Sequence, residues 1–234
     1  MTLYHPACCS ALDDHDPLPQ PLAGSHLIST RFDPALLHSE DFTRCAIAPV
    51  PGVAKRQSEY LAGRLCAREA LRRLTGQASV PSVGSDRAPQ WPHSVVGSIT
   101  HGDGWAAALV APQRQWRAIG LDVEQLLPIE RALRLQAEIL TAAELERLRG
   151  LDDAARALRI SLTFSFKESL FKALYPLTLT RFYFHDAELL QCEAQDTRLR
   201  LLIDLNQQWQ SGAELSGQFA LFDGKVLSQV AVTA

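Results

Sequence analysis

Apolar residues Tyr60, Leu61, Leu65, Leu71 and Leu74 recur at helical spacing through QSEYLAGRLCAREALRRL, which predicts a helix from Gln57 to about Leu74 that Gly76 stops. A second helical pattern runs from about Asp153 to Tyr175, where Pro176 is expected to end it. Before it, Thr141 and Glu144 have the T-x-x-E spacing of a capping box and announce a short helix. Between the two long helical stretches the period changes. Val95 to Ile99 and Trp105 to Val110 read as strands on either side of a tight turn that holds Thr100-His101-Gly102-Asp103-Gly104 at its tip. A turn over Pro112 to Gln115 then leads into a central strand, IGLDVE, which Pro128 closes. The tail, RFYFHDAELL, RLRLLIDL, GQFALF and KVLSQVAV, is strand-like, and Asp223-Gly224 between the last two is a two-residue hairpin signal. That order, helix and strands followed by helices and antiparallel strands, predicts an α+β (mixed α/β) fold rather than a regular βαβ array. Residues 1–24, rich in Pro and Asp, read as an extended segment packed loosely on something later; 25–115 and 116–234 form two halves of similar size.

Composition narrows the function. A chain of 234 residues, 47% hydrophobic, can bury a core, and 23 Lys+Arg against 26 Asp+Glu give a net charge of −3, which speaks against coating nucleic acid by bulk electrostatics. The five cysteines are odd in number and form no C-x-x-C pair, as suits a reducing cytosol. No basic start precedes an apolar run, and no run approaches the ~20 residues that span a bilayer. A cytoplasmic protein without a membrane span is expected.

Candidate chemistry gathers at four places. Along a strand alternate side chains share a face, so Asp122 and Glu124 point together while Leu121 and Val123 point into the core. At roughly 6–7 Å and an effective dielectric near 20, their repulsion amounts to about 2–3 kcal/mol. Either a Lys or Arg from a neighbouring element offsets it, or a hard divalent cation such as Mg²⁺ does. In FSFKESLFKAL, Ser165, Glu168, Ser169 and Lys172 fall on one polar arc, whereas Lys167 lies among Phe164, Leu170, Phe171 and Leu174. Glu168 and Lys172 are spaced as an i,i+4 surface pair. Lys167 either snorkels to solvent or has its ammonium held by a buried anion. His101 and Thr100, on a glycine-flanked turn, have the makings of a phosphate contact, although a lone loop histidine also serves simply as a hydrogen-bonding group. Lys55, Arg56, Arg64, Arg68 and Arg87 are either a solvated basic face or, since Arg56 and Arg64 return to nearly the same side, guanidinium groups placed for phosphate. Together these features point to a polyphosphate ligand.

The ordered set KRxxEYLAGRLCAR at 55–68, DRAPxWP at 86–92, GSITHG at 97–102, GLDVE at 120–124 and FSFKESLFKA at 164–173 resembles the 4′-phosphopantetheinyl transferases of the enterobactin-synthetase type, nearest to the pseudomonad carrier-protein transferases. The likeness runs from about residue 20 to the C-terminus. It implies a monomeric pseudo-dimer of two α/β halves, with coenzyme A and Mg²⁺ (or Mn²⁺) in the cleft between them. It implies that Asp122, Glu124 and Glu168 bind the metal, that Thr100, His101 and Lys167 hold the diphosphate, and that Arg56, Arg64 and Arg87 hold the adenosine 3′-phosphate end. Lys172 would stand near the reacting phosphate, and Glu168 or Glu124 would take the proton of the attacking serine. The implied partners are apo acyl, peptidyl or aryl carrier proteins of fatty acid, siderophore or nonribosomal peptide synthesis. Two positions depart from the family pattern: Phe164 stands for a frequent Trp, and Ser98-Ile99-Thr100-His101 for S-x-S-H. Outside the resemblance, the alternatives are a metal-dependent nuclease or phosphodiesterase and a non-enzymatic carrier-protein-binding module.

Overall fold

The structure, a computed structural model, describes residues 4–193 and 196–234. The chain forms two compact units. One comprises the described residues up to Asp16 together with Pro21–Gln115, and the other comprises Pro17–Gln20 with Trp116–Ala234.

In the first unit, strands β1 (His26–Arg31), β4 (Val95–Gly102) and β5 (Trp105–Pro112) make an antiparallel sheet ordered β1-β5-β4. A two-stranded ribbon, β2 (Ser82–Val83) with β3 (Pro89–Gln90), lies apart, and a single turn of helix, α1, covers Asp41–Arg44. The long helix α2 (Ala54–Thr75) packs on all three strands of the main sheet. It ends as the sequence predicts, with Gly76 in the left-handed region, where a side chain would be strained. Cys66, Ala67, Ala70 and Leu71 of α2 bury against Ala108 and Val110 of β5, so small side chains let helix and sheet approach closely. The opening segment is packed rather than loose: Cys8, Cys9 and Leu18 are buried, and Cys9 and Asp13 form bridges to Phe32 and Ser29. Residues 1–3 of that predicted segment lie outside the described residues.

The second unit holds a five-stranded antiparallel sheet ordered β6-β10-β9-β8-β7, from β6 (Trp116–Gln125), β7 (Ala187–Glu193), β8 (Asp196–Leu201), β9 (Glu214–Phe222) and β10 (Lys225–Thr233). The strand carrying IGLDVE therefore stands at one end of this order, not at its centre. Helix α3 (Ile129–Ile139) follows Pro128 and has no counterpart in the pattern reading, whereas α4 (Ala142–Arg147) has the expected capping box, with Thr141 and Glu144 each bonding the other's backbone N–H. Helix α5 (Asp153–Thr178) runs past Pro176 to a left-handed cap at Leu179, whose N–H donates to Tyr175. So near its C-terminal end a proline removes a single ladder bond, and the turn survives. Asp223-Gly224 forms the predicted hairpin with both residues at positive φ.

Helix α5 lies on β6 and β10. Gly120 makes this approach achievable, because a Cβ there would fall inside the carbonyl group of Ser169. Phe166, Leu170, Ala173 and Leu174 carry the apolar side of the helix into a cluster with Leu199, Leu201 and Val230.

Candidate active site

Gly120, Asp122 and Glu124 share the face of β6 that meets α5, and this fixes the acid cluster. Asp122 is buried, and its carboxylate is held at both oxygens: Lys172 Nζ donates to Oδ1 at 2.7 Å and Ser165 Oγ donates to Oδ2 at 2.9 Å. Ser228, directly opposite Asp122 on β10, exchanges hydrogen bonds with Ser165 at 2.7 Å and with Ser169 at 2.8 Å. The polar arc of α5 is thus its sheet-facing side, with Ser165 and Ser169 fully buried, and Lys172 pairs with Asp122 as well as donating to the Leu121 carbonyl. Buried hydroxyls are tolerated here because each has a partner.

Glu124 and Glu168 complete the cluster. Burial first, and then the negative charge of Asp122, push the Glu124 carboxyl up to about 7, with Lys172 and Arg131 opposing and Glu168 adding to the rise. The same two causes, in the same order, raise Glu168, and Lys172 pulls it back. Three carboxylates thus share one low-dielectric region with too little positive charge to offset them. Among the described residues no three acidic, His or Cys side chains already stand as a closed metal cluster. The fit to a hard divalent cation rests on donor chemistry. All the groups are oxygens, the excess charge is negative, and an ionised carboxylate with two partners still has lone pairs to give. A cavity of ≈ 350 Å³ opens at Glu124, lined further by Leu127, Arg131, Leu135 and Phe164.

Lys167 has its ammonium held inside the second unit. Its ammonium donates to Glu144 Oε2 at 2.6 Å, to the Phe184 carbonyl at 2.7 Å and to the Ile139 carbonyl at 2.8 Å. An ammonium has three donors, and all three are spent inside the protein. This is the buried anion that the sequence left open, and it counts against Lys167 as a diphosphate contact.

The first unit brings together Arg56 and His101, with Arg56 Nη1 and His101 Nε2 3.3 Å apart and Glu59 Oε2 3.8 Å from His101 Nδ1. His101 and Thr100 are not on a loop tip, because β4 continues through both of them to Gly102 and the turn proper is Asp103-Gly104. Strand alternation puts them on opposite faces: His101, opposite Ala106, faces α2, and Thr100, opposite Ala107, is buried on the other side. Arg64 is buried with its guanidinium 5.0 Å from the Tyr60 ring centroid, and among the described residues its Nη1 has no hydrogen-bond partner. Burial draws its pKa down. Arg87 is exposed, with φ of 73°, between the two strands of the β2/β3 ribbon. Glu59, Ser228 and Glu144 are the site residues that sequence reasoning missed as chemistry, and of these Glu144 carried a signal, its capping-box spacing; Ser165 was read only as part of the polar arc of α5.

Carboxylates raised by burial, a lysine among them and a buried guanidinium with one nitrogen lacking a partner among the described residues are the equipment of an enzyme that handles phosphate esters. Comparison with known proteins defines which kind. The family model described as the 4′-phosphopantetheinyl transferase superfamily matches residues 118–227, and the 4′-phosphopantetheinyl transferase N-terminal domain matches residues 51–111. Enterobactin synthase component D of Escherichia coli (strain K12) is 39% identical over 160 residues, covering 65% of this chain and 72% of that protein. The 4′-phosphopantetheinyl transferase Svp of Streptomyces mobaraensis is 37% identical over 207 residues, covering 86% and 80%, and Npt of Nocardia iowensis is 36% identical over 137 residues, covering 58% and 60%. The chain belongs to the 4′-phosphopantetheinyl transferase superfamily and is a transferase of that class, whose activity is to place a phosphopantetheine group on carrier proteins. Neither the nuclease nor the purely binding alternative survives that membership. No helix among the described residues is long and apolar enough to cross a membrane.

Proposed function

We propose that this protein transfers the 4′-phosphopantetheine group of coenzyme A, with Mg²⁺, to a serine of an apo acyl, peptidyl or aryl carrier protein and releases 3′,5′-ADP. The observation that carries this reading is the gathering of Asp122, Glu124, Glu168 and Lys172 at the contact of α5 with β6 in a chain of this superfamily. Asp122, Glu124 and Glu168 would hold the cation. When bound, it supplies neutralisation of the diphosphate charge. Lys172, with 29% of its side chain exposed, is the ammonium available to the phosphate under attack. Arg56 and Arg64 are assigned to the adenosine 3′-phosphate end, where Arg64 Nη1, without a hydrogen-bond partner among the described residues, is a donor in want of an anion; His101, Thr100 and Arg87 keep the assignments that the resemblance gives them.

In the reaction the serine Oγ forms a bond to the β-phosphorus of coenzyme A, and the bond from that phosphorus to the bridging oxygen breaks. The oxygen and its electron pair leave with 3′,5′-ADP. The serine proton passes to Glu124 or Glu168, the two carboxylates whose basicity burial has raised. Such a reaction asks mainly for alignment and charge stabilisation. A cytoplasmic, monomeric enzyme acting on fatty acid or siderophore carriers is part of the same reading. Mass spectrometry of an apo acyl carrier protein incubated with this protein, coenzyme A and Mg²⁺ tests it: the carrier gains the mass of one phosphopantetheine group, and an unchanged carrier mass with every carrier type overturns it.

A further inference from the structure

We infer that the buried ion pair between Glu144 and Lys167 is a positioning device that sets the depth and rotation of α5, and through them the placement of Glu168 and Lys172. For its activity readout this inference rests on the transferase reading above. Glu144 is a hub. Its Oε2 receives Lys167 Nζ at 2.6 Å and the Thr141 N–H at 2.8 Å, and its Oε1 receives the Leu189 N–H at 2.6 Å. One carboxylate therefore caps α4, fixes the beginning of β7 and anchors the middle of α5. Both side chains are sealed from solvent, at 2% exposure for Lys167 and 4% for Glu144. Lys167 adds the carbonyls of Ile139, at the end of α3, and Phe184, in the turn before β7.

This geometry bears on catalysis because Lys167 and Glu168 are consecutive on a helix, about 100° apart around its axis. Lys167 is tied toward α3, α4 and β7, while Glu168 turns toward Asp122 on β6. The opposite side of the same helix segment is tied to the sheet through Ser165, Ser169 and Lys172. A buried pair is weak stabilisation relative to an apolar substitute, but each partner left alone is a buried, uncompensated charge. Its value lies in specifying one seating of α5, since the ammonium has three acceptors at fixed places and only one helix position satisfies them.

The test compares Lys167→Met, Glu144→Gln and the double variant with the wild type. It measures thermal unfolding, coenzyme A binding by calorimetry, and kcat and KM for coenzyme A in carrier modification. The positioning role predicts that each single variant lowers Tm more than the double variant does, that coenzyme A affinity stays within about threefold, and that kcat falls at least tenfold in each single and partly recovers in the double. Should either single fail to fold, the double decides alone, through its kcat and coenzyme A affinity beside the wild type. If Lys167 instead touches the diphosphate, Lys167→Met and the double both lose coenzyme A affinity more than tenfold while Glu144→Gln does not, and the inference falls. It also falls if the variants lose stability but keep wild-type kcat, which would make the pair merely structural. A wild type that does not transfer would refute the proposed function instead, and the Tm cycle would still report whether the two residues act as a pair.

Discussion

Both units lay one long helix on an antiparallel sheet, yet they fill the contact differently. Between α2 and β5 the seam is apolar and small, with Ala67 and Ala70 against Ala108 and Val110, and the charged groups sit beyond it at Arg56, Glu59 and His101. Between α5 and β6 the seam itself is polar: Ser165, Ser169 and Lys172 meet Gly120, Asp122 and Ser228. A dry seam adds stability at little risk. A seam of carboxylates and hydroxyls must satisfy every group, and its reward is a rigid set of charges in a low-dielectric place, where they act most strongly on a phosphate.

The largest expected effect comes from the polar seam. Asp122→Ala or Glu168→Ala leaves circular dichroism unchanged and lowers carrier modification about 1,000-fold, on the scale of several kcal/mol of charge stabilisation; retained transfer would place the chemistry elsewhere. Next, the seams differ in tolerance of bulk. Gly120→Ala drives a Cβ into the Ser169 backbone, which cannot yield, and should cost about 3 kcal/mol or more in denaturant unfolding. Gly63→Ala meets only the Ile99 Cγ2 methyl, at 2.8 Å, and should cost about 1 kcal/mol, because that side chain can shift. Equal losses would erase the contrast. Arg64→Met is expected to raise KM for coenzyme A about tenfold with little change in kcat, as suits a binding group to an anion. Ser165→Ala takes one hydrogen bond from Asp122 and should reduce kcat by about 1–2 kcal/mol in activation free energy.

A further expected effect is a pH dependence of stability in metal-free protein. The Glu124 carboxyl titrates near 7 when folded, against an ordinary value of 4.5, so the folded chain keeps this proton to higher pH than the unfolded chain does. Stability therefore declines between about pH 4.5 and 7 and levels off above, and Glu124→Gln flattens that part of a Tm against pH curve. A wild-type Tm that instead rises over that window, relative to the variant, would contradict the shift.

Much of this was legible in the chain. The period of Tyr60 to Leu74 with Gly76, the Thr141–Glu144 box and Asp223-Gly224 are local signals, and local geometry obeyed them. Helix α3 was missed because it follows Pro128 directly, and the Pro was read only as the end of a strand. His101 was put on a turn because its glycines suggested one, whereas ladder pairing with Ala106 carried the strand further. The pairing of Asp122 with Glu124 was visible from period two alone, but the lysine that answers Asp122 lies 50 residues away.

By itself, then, the sequence determined which residue types could meet phosphate, which segments would coil or extend, and that two acids would share a strand face. Only tertiary structure decided that the polar arc of α5 faces the sheet and that Lys167 pairs with Glu144. The reason is physical: periodicity records which side chains share a face, but what that face meets is set by packing between segments distant in the chain, where burial and charge pairing are settled.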